Sequence, residues 1–239
     1  MADERILVCT PTLHRWAGKH RVDDLERVVQ AVRKQTYGNV EHIVVKAKCN
    51  QGDNCPLCAE TRELAARYAL PDNRFRLIEL SEPGDRFGYF GRNLAIQSST
   101  APLIAYLDDD NWWEPQHLQT LYDALKRTGA SFAYSASFVR SAEGKLLLKR
   151  NTRKPYFTGI DLNEFLHKRE LIEKYGPWNL TYNADWEAVE NWLAHSEKYA
   201  ATGKLTTNYT LKPGAKSVSL YFYSYFKHKV LKTLGKRGI

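Results

Sequence analysis

Three consecutive aspartates, Asp108, Asp109 and Asp110, follow an apolar run at residues 103–107. A short apolar run between a proline and an acidic turn predicts a buried strand rather than part of a helix. Carboxylates at one strand end repel each other and resist loss of water, so we expect a cation beside them. Hard carboxylate oxygens suit Mg²⁺ or Mn²⁺, and open α/β sheets place ligands at this end of their strands. The alternative is a solvated acidic turn in which Asp110 or Asn111 caps the next helix.

The cysteines are a second set of residues with ligand chemistry. Cys9 lies in an apolar run and is expected to be a core thiol. Cys55 and Cys58, with Cys49 nearby, have zinc-binding chemistry, although the sequence lacks a second Cys or His pair at finger spacing. Reduced thiols in a cytosolic loop are the alternative.

The elements that must position these residues begin with a strand, a helix and a strand. Apolar runs at residues 5–10 and 40–45 predict the strands, and apolar residues at helical spacing between them follow a capping-box pair, Asp23 and Glu26. This order implies a parallel pair with a right-handed crossover. Further helices are predicted at 59–68, 92–98, after Pro115, at 169–175 and at 185–199; further strands are predicted at 75–80, 131–140, 145–150 and, as an extended segment, 161–167.

The C-terminal part differs in composition. Residues 1–199 are predicted to form one domain, and residues 200–216, rich in Thr, Gly, Asn and Pro, are interpreted as a linker. Residues 217–236 place apolar side chains four apart with lysines between them, which predicts a basic amphipathic helix. This tail, within residues 200–239, is compatible with packing on the domain or with contact to a membrane surface.

Composition limits the classes of function. The 239 residues are 43% hydrophobic and 26% charged, which is enough for one large domain. No apolar run approaches the ~20 residues that span a bilayer, and the charged N-terminus leads into a strand, so we expect no signal peptide and a cytoplasmic location, peripheral to the membrane if the tail binds it. The net charge of +8 indicates an anionic partner: nucleic acid, a phosphate-bearing substrate or a membrane surface.

Several motifs occur in an order typical of one family. A strand ends in Thr10-Pro11-Thr12 before a basic loop, Gly91 to Ala95 precedes the aspartate-terminated strand, and Asn183-Ala184-Asp185 begins a helix about seventy residues later. Together these motifs resemble the family 2 nucleotide-sugar glycosyltransferases over roughly residues 5–195. The resemblance implies a GT-A fold: a Rossmann-like α/β domain with a mixed, mostly parallel sheet flanked by helices.

The resemblance also implies a donor site. Asp108 to Asp110 look like the Asp-X-Asp motif that holds a divalent metal, Mn²⁺ or Mg²⁺, and the sugar nucleotide. Asp110 would ligate the metal, and Asp108 would share the metal or contact the ribose. Other residues implied to lie near the nucleotide sugar are Thr10, Pro11, Thr12, Arg15, Arg92, Asn93 and Asp109. His167 would approach the metal or the diphosphate, unless it is a plain surface or core histidine.

Asp185 matches the second residue of the family's Glu-Asp motif, where it acts as the general base. Its alternative role is that of a helix cap. Ala184 stands where the family has glutamate, although Glu187 is placed to supply a second carboxylate. The second strand runs into Lys46-Ala-Lys48, where the family has an acidic residue that contacts the base, so base recognition is open.

The resulting hypothesis is a metal-dependent, inverting glycosyltransferase of hexosyltransferase type. It would move a sugar from a nucleoside-diphosphate sugar to a saccharide or lipid-linked acceptor, as in polysaccharide biosynthesis. Two alternatives are a basic nucleic-acid-binding module, which the net charge and basic tail favour, and an inactive relative that only binds sugar nucleotides. Nucleic acid is the less favoured partner because three aspartates at a strand end repel phosphate.

Overall fold

The computed structural model describes residues 3–13, 21–49, 55–69, 74–82 and 88–211. Its strands are β1 (Ile6–Thr12), β2 (Val40–Lys46), β3 (Phe75–Glu79), β4 (Leu103–Tyr106), β5 (Trp112–Trp113), β6 (Phe132–Ser141), β7 (Leu146–Arg150), β8 (Phe165–Lys168) and β9 (Tyr199–Leu211). Its α-helices are α1 (Arg21–Arg33), α2 (Pro56–Ala69), α3 (Tyr89–Gln97), α4 (His117–Thr128), α5 (Glu170–Tyr175) and α6 (Ala184–Ala194). The strands form one sheet in the order β3-β2-β1-β4-β8-β6-β9-β5, with β7 on β6.

The N-terminal half of the sheet is parallel. In β1, Ile6 lies opposite Val40 of β2 on one side and opposite Leu103 of β4 on the other. Residues 6–10 are all buried, because helices cover both faces of this part of the sheet. The predicted strand–helix–strand opening with a parallel pair is confirmed.

The C-terminal half is mainly antiparallel. β8 runs antiparallel to both β4 and β6, and β7 forms a hairpin with β6 through a turn at Gly144, whose φ is +82°. The segment predicted as extended at 161–167 begins instead with a 3₁₀ turn, Leu162–Glu164, and becomes strand β8 only afterwards. A capping box explains the turn, since the Asp161 side chain accepts from the Asn163 N–H and the Glu164 side chain accepts from the Asp161 N–H.

The linker interpretation is wrong for residues 200–211. They belong to β9, which pairs in parallel with β6 and antiparallel with β5. The segment is polar in composition, but its side chains find hydrogen-bond partners inside the fold. Thr206 Oγ1 lies 2.8 Å from His117 Nδ1, and Asn208 donates to Glu114 at 2.9 Å. The predicted helix at 185–199 ends at Ala194 because β9 begins at Tyr199. The predicted basic tail helix lies outside the described residues.

Alternate residues of β1 build two cores. Ile6 and Val8 pack with α1 and α4, whereas Leu7 and Cys9 pack on the opposite face with α3 and α6. Because successive side chains of a strand point to opposite faces of the sheet, β1 packs against helices on both faces. In the part of the chain that the structure describes, no helix combines the length and apolar character needed to cross a bilayer.

Candidate active site

The carboxyl ends of β1 and β4 lie side by side at one edge of the sheet. β1 ends at Thr12, and the aspartates follow β4 after Leu107. The Thr12 hydroxyl donates to Asp109 Oδ2 at 2.8 Å, which joins the two strand ends. Parallel pairing in register brings these residues together across nearly a hundred positions of sequence.

Asp108 is held from two sides. Arg92, a buried residue of α3, forms an ion pair with Asp108 Oδ1, and its guanidinium lies 4.9 Å from the centre of the Tyr89 ring. On the other side, the Asn163 amide donates to Asp108 Oδ2 at 2.9 Å and accepts from the Asp108 N–H at 2.6 Å. The cation and the amide fix the orientation of this carboxylate and balance its charge.

Asp110 is held by its backbone. Its carbonyl oxygen accepts from Arg27 at 3.2 Å and from the Thr210 hydroxyl at 2.7 Å, so β9 also fixes this turn. Asp108, Asp109 and Asp110 are all half-buried. Their carboxylate oxygens are hard ligands on an anchored loop, a donor set that fits Mg²⁺ or Mn²⁺.

Asp185 lies in the first turn of α6. Its side chain accepts from the Trp186 N–H at 2.9 Å, and its own N–H lies 3.4 Å from the Tyr89 hydroxyl oxygen. Burial and, to a smaller extent, the negative charge of Asp161 together raise the pKa of Asp185 to about 6, against the opposing effects of hydrogen bonds and Arg92. A carboxyl group with this pKa is ionised at neutral pH and is a stronger base than an exposed aspartate.

One cleft of about 260 Å³ joins these groups. Its lining includes Arg92, Asp108 and Asp185, so the structure brings together the predicted metal-binding strand end and the predicted base. The cleft is also lined by residues that the sequence did not single out: Tyr89, Arg150, Phe157, Asp161, Tyr182 and Tyr209.

A buried ion pair lies beside the cleft. Arg150 Nη2 is 2.8 Å from Glu164 Oε1, and Arg150 Nε is 3.1 Å from the Ser137 hydroxyl. Burial raises the pKa of Glu164 to about 7 although Arg150 opposes the shift. Asp161 and Glu164 have the three-residue spacing of a capping box. From the sequence, this spacing could have predicted the 3₁₀ turn that places Asn163 against Asp108.

His167 does not reach the site, and the prediction that it approaches a metal or the diphosphate is wrong. Its ring is fully buried; Nε2 lies 2.7 Å from the Tyr106 hydroxyl, and Nδ1 lies 2.8 Å from the Lys168 carbonyl oxygen. Burial lowers the pKa of His167 to about 4, so the imidazole is neutral. The Trp178 indole N–H donates to the same Tyr106 hydroxyl at 3.0 Å, which completes a core hydrogen-bond chain.

Two other predicted donor-site residues have structural contacts instead. Thr10 is fully buried and its hydroxyl lies 2.9 Å from His42 Nε2. Asn93 bonds the backbone of Trp178 in both directions, at 2.9 and 3.0 Å. Both side chains are therefore engaged within the fold, and neither is among the residues that line the cleft.

Pro11 packs against Gly88, whose φ is +79°. A Cβ at this position would lie only 2.9 Å from the proline ring, so there is no room for a side chain. Arg15 lies outside the described residues.

Glu187 does not supply the second carboxylate of the cleft, because it accepts from Asn179 at 3.1 Å and from Thr181 at 3.0 Å. Asp161 takes that place beside Asp185.

Comparisons with known proteins agree with this geometry. The family described as "Glycosyl transferase family 2" matches residues 8–189. The glycosyltransferase GlyA of Streptococcus pneumoniae serotype 4 is 21% identical over 192 residues, which are 77% of this chain and 25% of GlyA. This chain spans between 24% and 48% of the length of the curated relatives that it matches.

Solved structures share the fold. S. aureus TarS 1-349 in complex with UDP-GlcNAc superposes with a TM-score of 0.63 at 11% identity, covering 90% of this chain and 61% of that one. The mannosyltransferase PcManGT from Pyrobaculum calidifontis, in complex with GDP-Man and Mn²⁺, gives a TM-score of 0.65 at 15% identity, covering 91% and 60%. The predicted GT-A α/β fold is confirmed.

Proposed function

The chain belongs to glycosyl transferase family 2, and from this premise we propose that it is a metal-dependent, inverting glycosyltransferase. The donor is a nucleoside-diphosphate sugar and the acceptor is a hydroxyl of a saccharide or lipid-linked saccharide. The observation that carries the proposal is that Asp185, Asp108 and Arg92 line one and the same cleft. The names of the neighbours support the donor class, since TarS was solved with UDP-GlcNAc and PcManGT with GDP-Man and Mn²⁺.

The donor side of the proposal rests on the strand end after β4. Asp110 and Asp108 would hold Mn²⁺ or Mg²⁺, because their carboxylates lie on a loop fixed by Arg27, Asn163 and Thr210. When bound, the metal supplies Lewis-acid neutralisation of the diphosphate that leaves with the nucleoside. Arg92 places a second positive charge at the same position, already oriented by its ion pair with Asp108.

The acceptor side rests on Asp185. With a pKa of about 6, this carboxyl is mostly ionised at pH 7 and can take the proton of an acceptor hydroxyl. The oxygen freed of its proton attacks the anomeric carbon from the side opposite the leaving diphosphate. A single displacement with one base inverts the configuration of that carbon.

The entrance of the cleft carries aromatic side chains. Phe157 and Tyr182 are 43% and 58% exposed, and Trp186 is half-buried beside them, 6.3 Å from Phe157 between ring centres. Aromatic faces that remain exposed beside a polar cleft offer apolar contact to the C–H faces of sugar rings. We therefore assign this rim to the acceptor saccharide.

The experiment is a thermal-unfolding panel of the full chain with UDP, GDP, CDP and their sugar conjugates, each with Mn²⁺ and with EDTA. A ligand that binds the native state raises the unfolding temperature by mass action. We expect one nucleotide to do so only with Mn²⁺, and the effect to vanish in Asp110→Ala. No shift with any nucleotide, together with salt-sensitive binding of RNA or DNA, would instead favour the nucleic-acid-binding alternative.

The stereochemistry is tested on the product. Proton NMR of the freshly formed linkage reports the anomeric configuration directly. We expect it to be opposite to that of the donor, and a product that retains the donor configuration would overturn the inverting mechanism.

A further inference from the structure

The three cysteines near the start of α2 form a cluster outside the cleft. Cys49 follows β2, whereas Cys55 and Cys58 flank the beginning of the helix. All three are buried, at 6%, 2% and 1% exposure, and none forms a disulfide. Their sulfur atoms all lie within 4.8 Å of one another, and among the described residues no other three Cys, His, Asp or Glu side chains bring their ligand atoms this close.

This spacing is close to that of a zinc–thiolate site. Tetrahedral zinc with Zn–S bonds of about 2.3 Å places sulfur atoms about 3.8 Å apart. The observed cluster reaches that geometry if each sulfur moves by less than about 1 Å, which side-chain rotation can supply. Because the three sulfurs converge from two separate segments, a metal would tie the end of β2 to the beginning of α2.

The start of α2 supplies a local field that favours thiolates, against the opposing effect of burial. The Cys58 and Ala59 N–H groups bond the Cys55 carbonyl at 3.0 and 3.2 Å, so the cluster lies at the N-terminus of a fourteen-residue helix. The positive end of a helix dipole stabilises thiolate. Burial raises the pKa of Cys58, and the positive charge of Lys46, which is itself buried and lies 3.0 Å from Glu79, opposes that rise.

The charges nearby balance those of a zinc site. Zn²⁺ with three thiolates carries one net negative charge. Lys46 and Arg62 both pair with Glu79, at 3.0 and 2.8 Å, and these three side chains together carry one net positive charge. A buried anionic centre is therefore compensated by groups already in place.

We propose that Cys49, Cys55 and Cys58 bind one Zn²⁺ as thiolates and leave one coordination position for a further ligand. The site is distinct from the carboxylates after β4, because soft thiolates select zinc whereas hard oxygens suit Mg²⁺ or Mn²⁺. It lies at the same edge of the sheet as those carboxylates. Lys46 is paired with Thr12, and the Ala47 N–H donates to the Thr12 carbonyl at 2.9 Å. The Thr12 hydroxyl in turn donates to Asp109. Zinc would thus hold the β2 side of the cleft in register.

The test begins with the full chain, purified under reducing conditions without a histidine tag or metal-chelate column. Elemental mass spectrometry is expected to find one zinc per chain. Replacement of zinc by Co²⁺ is expected to give the near-ultraviolet charge-transfer band of cobalt–thiolate bonds and the visible bands of tetrahedral coordination. Carboxylate sites do not give the thiolate band, so this readout separates the two proposed metals.

Variants assign the ligands. Cys49→Ser, Cys55→Ser and Cys58→Ser are each expected to lose stoichiometric zinc and the thiolate band. Cys9→Ala is the matched control, because Cys9 is a fully buried thiol in β1 away from the cluster, and it is expected to retain both. Asp110→Ala is expected to retain zinc as well, which tests whether the two sites are independent.

Three outcomes would overturn the proposal. The first is a wild-type chain that neither carries zinc nor develops the cobalt–thiolate band. The second is zinc binding that persists in all three serine variants. The third is a protein mass that is lower by two hydrogens under non-reducing conditions, which shows a disulfide within the cluster. The wild-type cobalt spectrum decides the question even if the serine variants fail to fold.

Discussion

On one side of the cleft Asp108 faces a buried guanidinium and an amide, whereas on the other side Asp185 faces a second carboxylate, Asp161. The Asp108 oxygens are matched by Arg92 and Asn163. Asp185 has a backbone N–H at 2.9 Å, but burial and Asp161 together raise its pKa to about 6. Identical side chains thus have different charge environments within one cleft.

The difference indicates how two aspartates can have two roles. A carboxylate balanced by a cation and an amide is a stable anchor, suited to hold a metal or a donor group. A carboxylate made more basic by burial and a like charge is suited to take a proton. Asn163 connects the two sides, because its amide donates both to Asp108 and to Asp161, at 2.9 and 2.6 Å.

The largest effect is expected from Asp185→Asn. An amide cannot take the acceptor proton, so we expect the transfer rate to fall by about 10²- to 10⁴-fold. The change in unfolding temperature caused by the donor should be kept, because Asp108 and Arg92 are intact. Steady-state transfer assays and the nucleotide panel measure the two properties.

The matched control is Asp123→Asn, an exposed aspartate on α4, which should leave transfer unchanged. If Asp185→Asn is as active as its parent, Asp185 is not the base. If the parent and Asp185→Asn are both inactive but still bind nucleotide, the chain is a relative that binds sugar nucleotides without catalysis.

The second effect is on stability and concerns the ion pair beside Asp161. Arg150→Met leaves Glu164 buried without its cation, and we expect the free energy of unfolding to fall by about 3 kcal/mol at neutral pH. Glu164 has a raised pKa of about 7 although Arg150 lowers it, so in Arg150→Met this pKa is higher still. The buried carboxyl of the variant therefore takes up a proton as pH falls toward 7, and the penalty is smaller at acidic than at alkaline pH.

Urea unfolding at about pH 5.5 and about pH 8 measures this difference. Arg153→Met is the control, since Arg153 is exposed and its loss should change stability by no more than about 0.5 kcal/mol. A penalty for Arg150→Met that grows as pH falls would contradict the assigned direction of the Glu164 shift.

Removal of the connecting amide tests whether the two sides depend on each other. Asn163→Ala deprives Asp108 of two hydrogen bonds and Asp161 of one, so we expect a loss of about 2 kcal/mol of stability and weaker nucleotide binding. Denaturant unfolding and a nucleotide titration check both. Asn179→Ala, an exposed asparagine that bonds Glu187, is the control; equal effects of the two substitutions would argue against a special role for Asn163.

The smallest effect is a change in pH dependence. We expect kcat/KM of the parent to fall below about pH 6 as Asp185 takes up a proton. Asp161→Asn removes the like charge but keeps an oxygen that can cap the 3₁₀ turn, so the acid limb should move to lower pH. A limb that stays in place would show that Asp161 does not tune the base.

Local patterns predicted much of the donor side. The apolar runs at residues 5–10, 40–45 and 103–107 are continuous because these strands are covered on both faces, so a short window of sequence is enough to recognise each of them. The acceptor side was harder to predict. β9 was mistaken for a linker because its polar side chains find partners far away, as Thr206 does with His117, 89 residues apart.

Sequence also misjudged which polar residues face the cleft. His167, Thr10 and Asn93 have side chains able to bind a metal or phosphate, but each is used within the fold, by Tyr106, His42 and the Trp178 backbone. Residue type gives the chemistry that a side chain can perform. Burial and neighbours decide whether it is available.

By itself, the sequence determined that an acidic cluster would end a buried strand, that the chain would open with a parallel pair, and that Asp185 would begin a helix. These features follow from periodicity and turn chemistry within short windows. Only the tertiary structure decided that Asn163 would hold Asp108, that Asp161 would lie beside Asp185, and that three cysteines would converge. Each depends on distances between separate segments, and both desolvation and charge interaction are set by those distances.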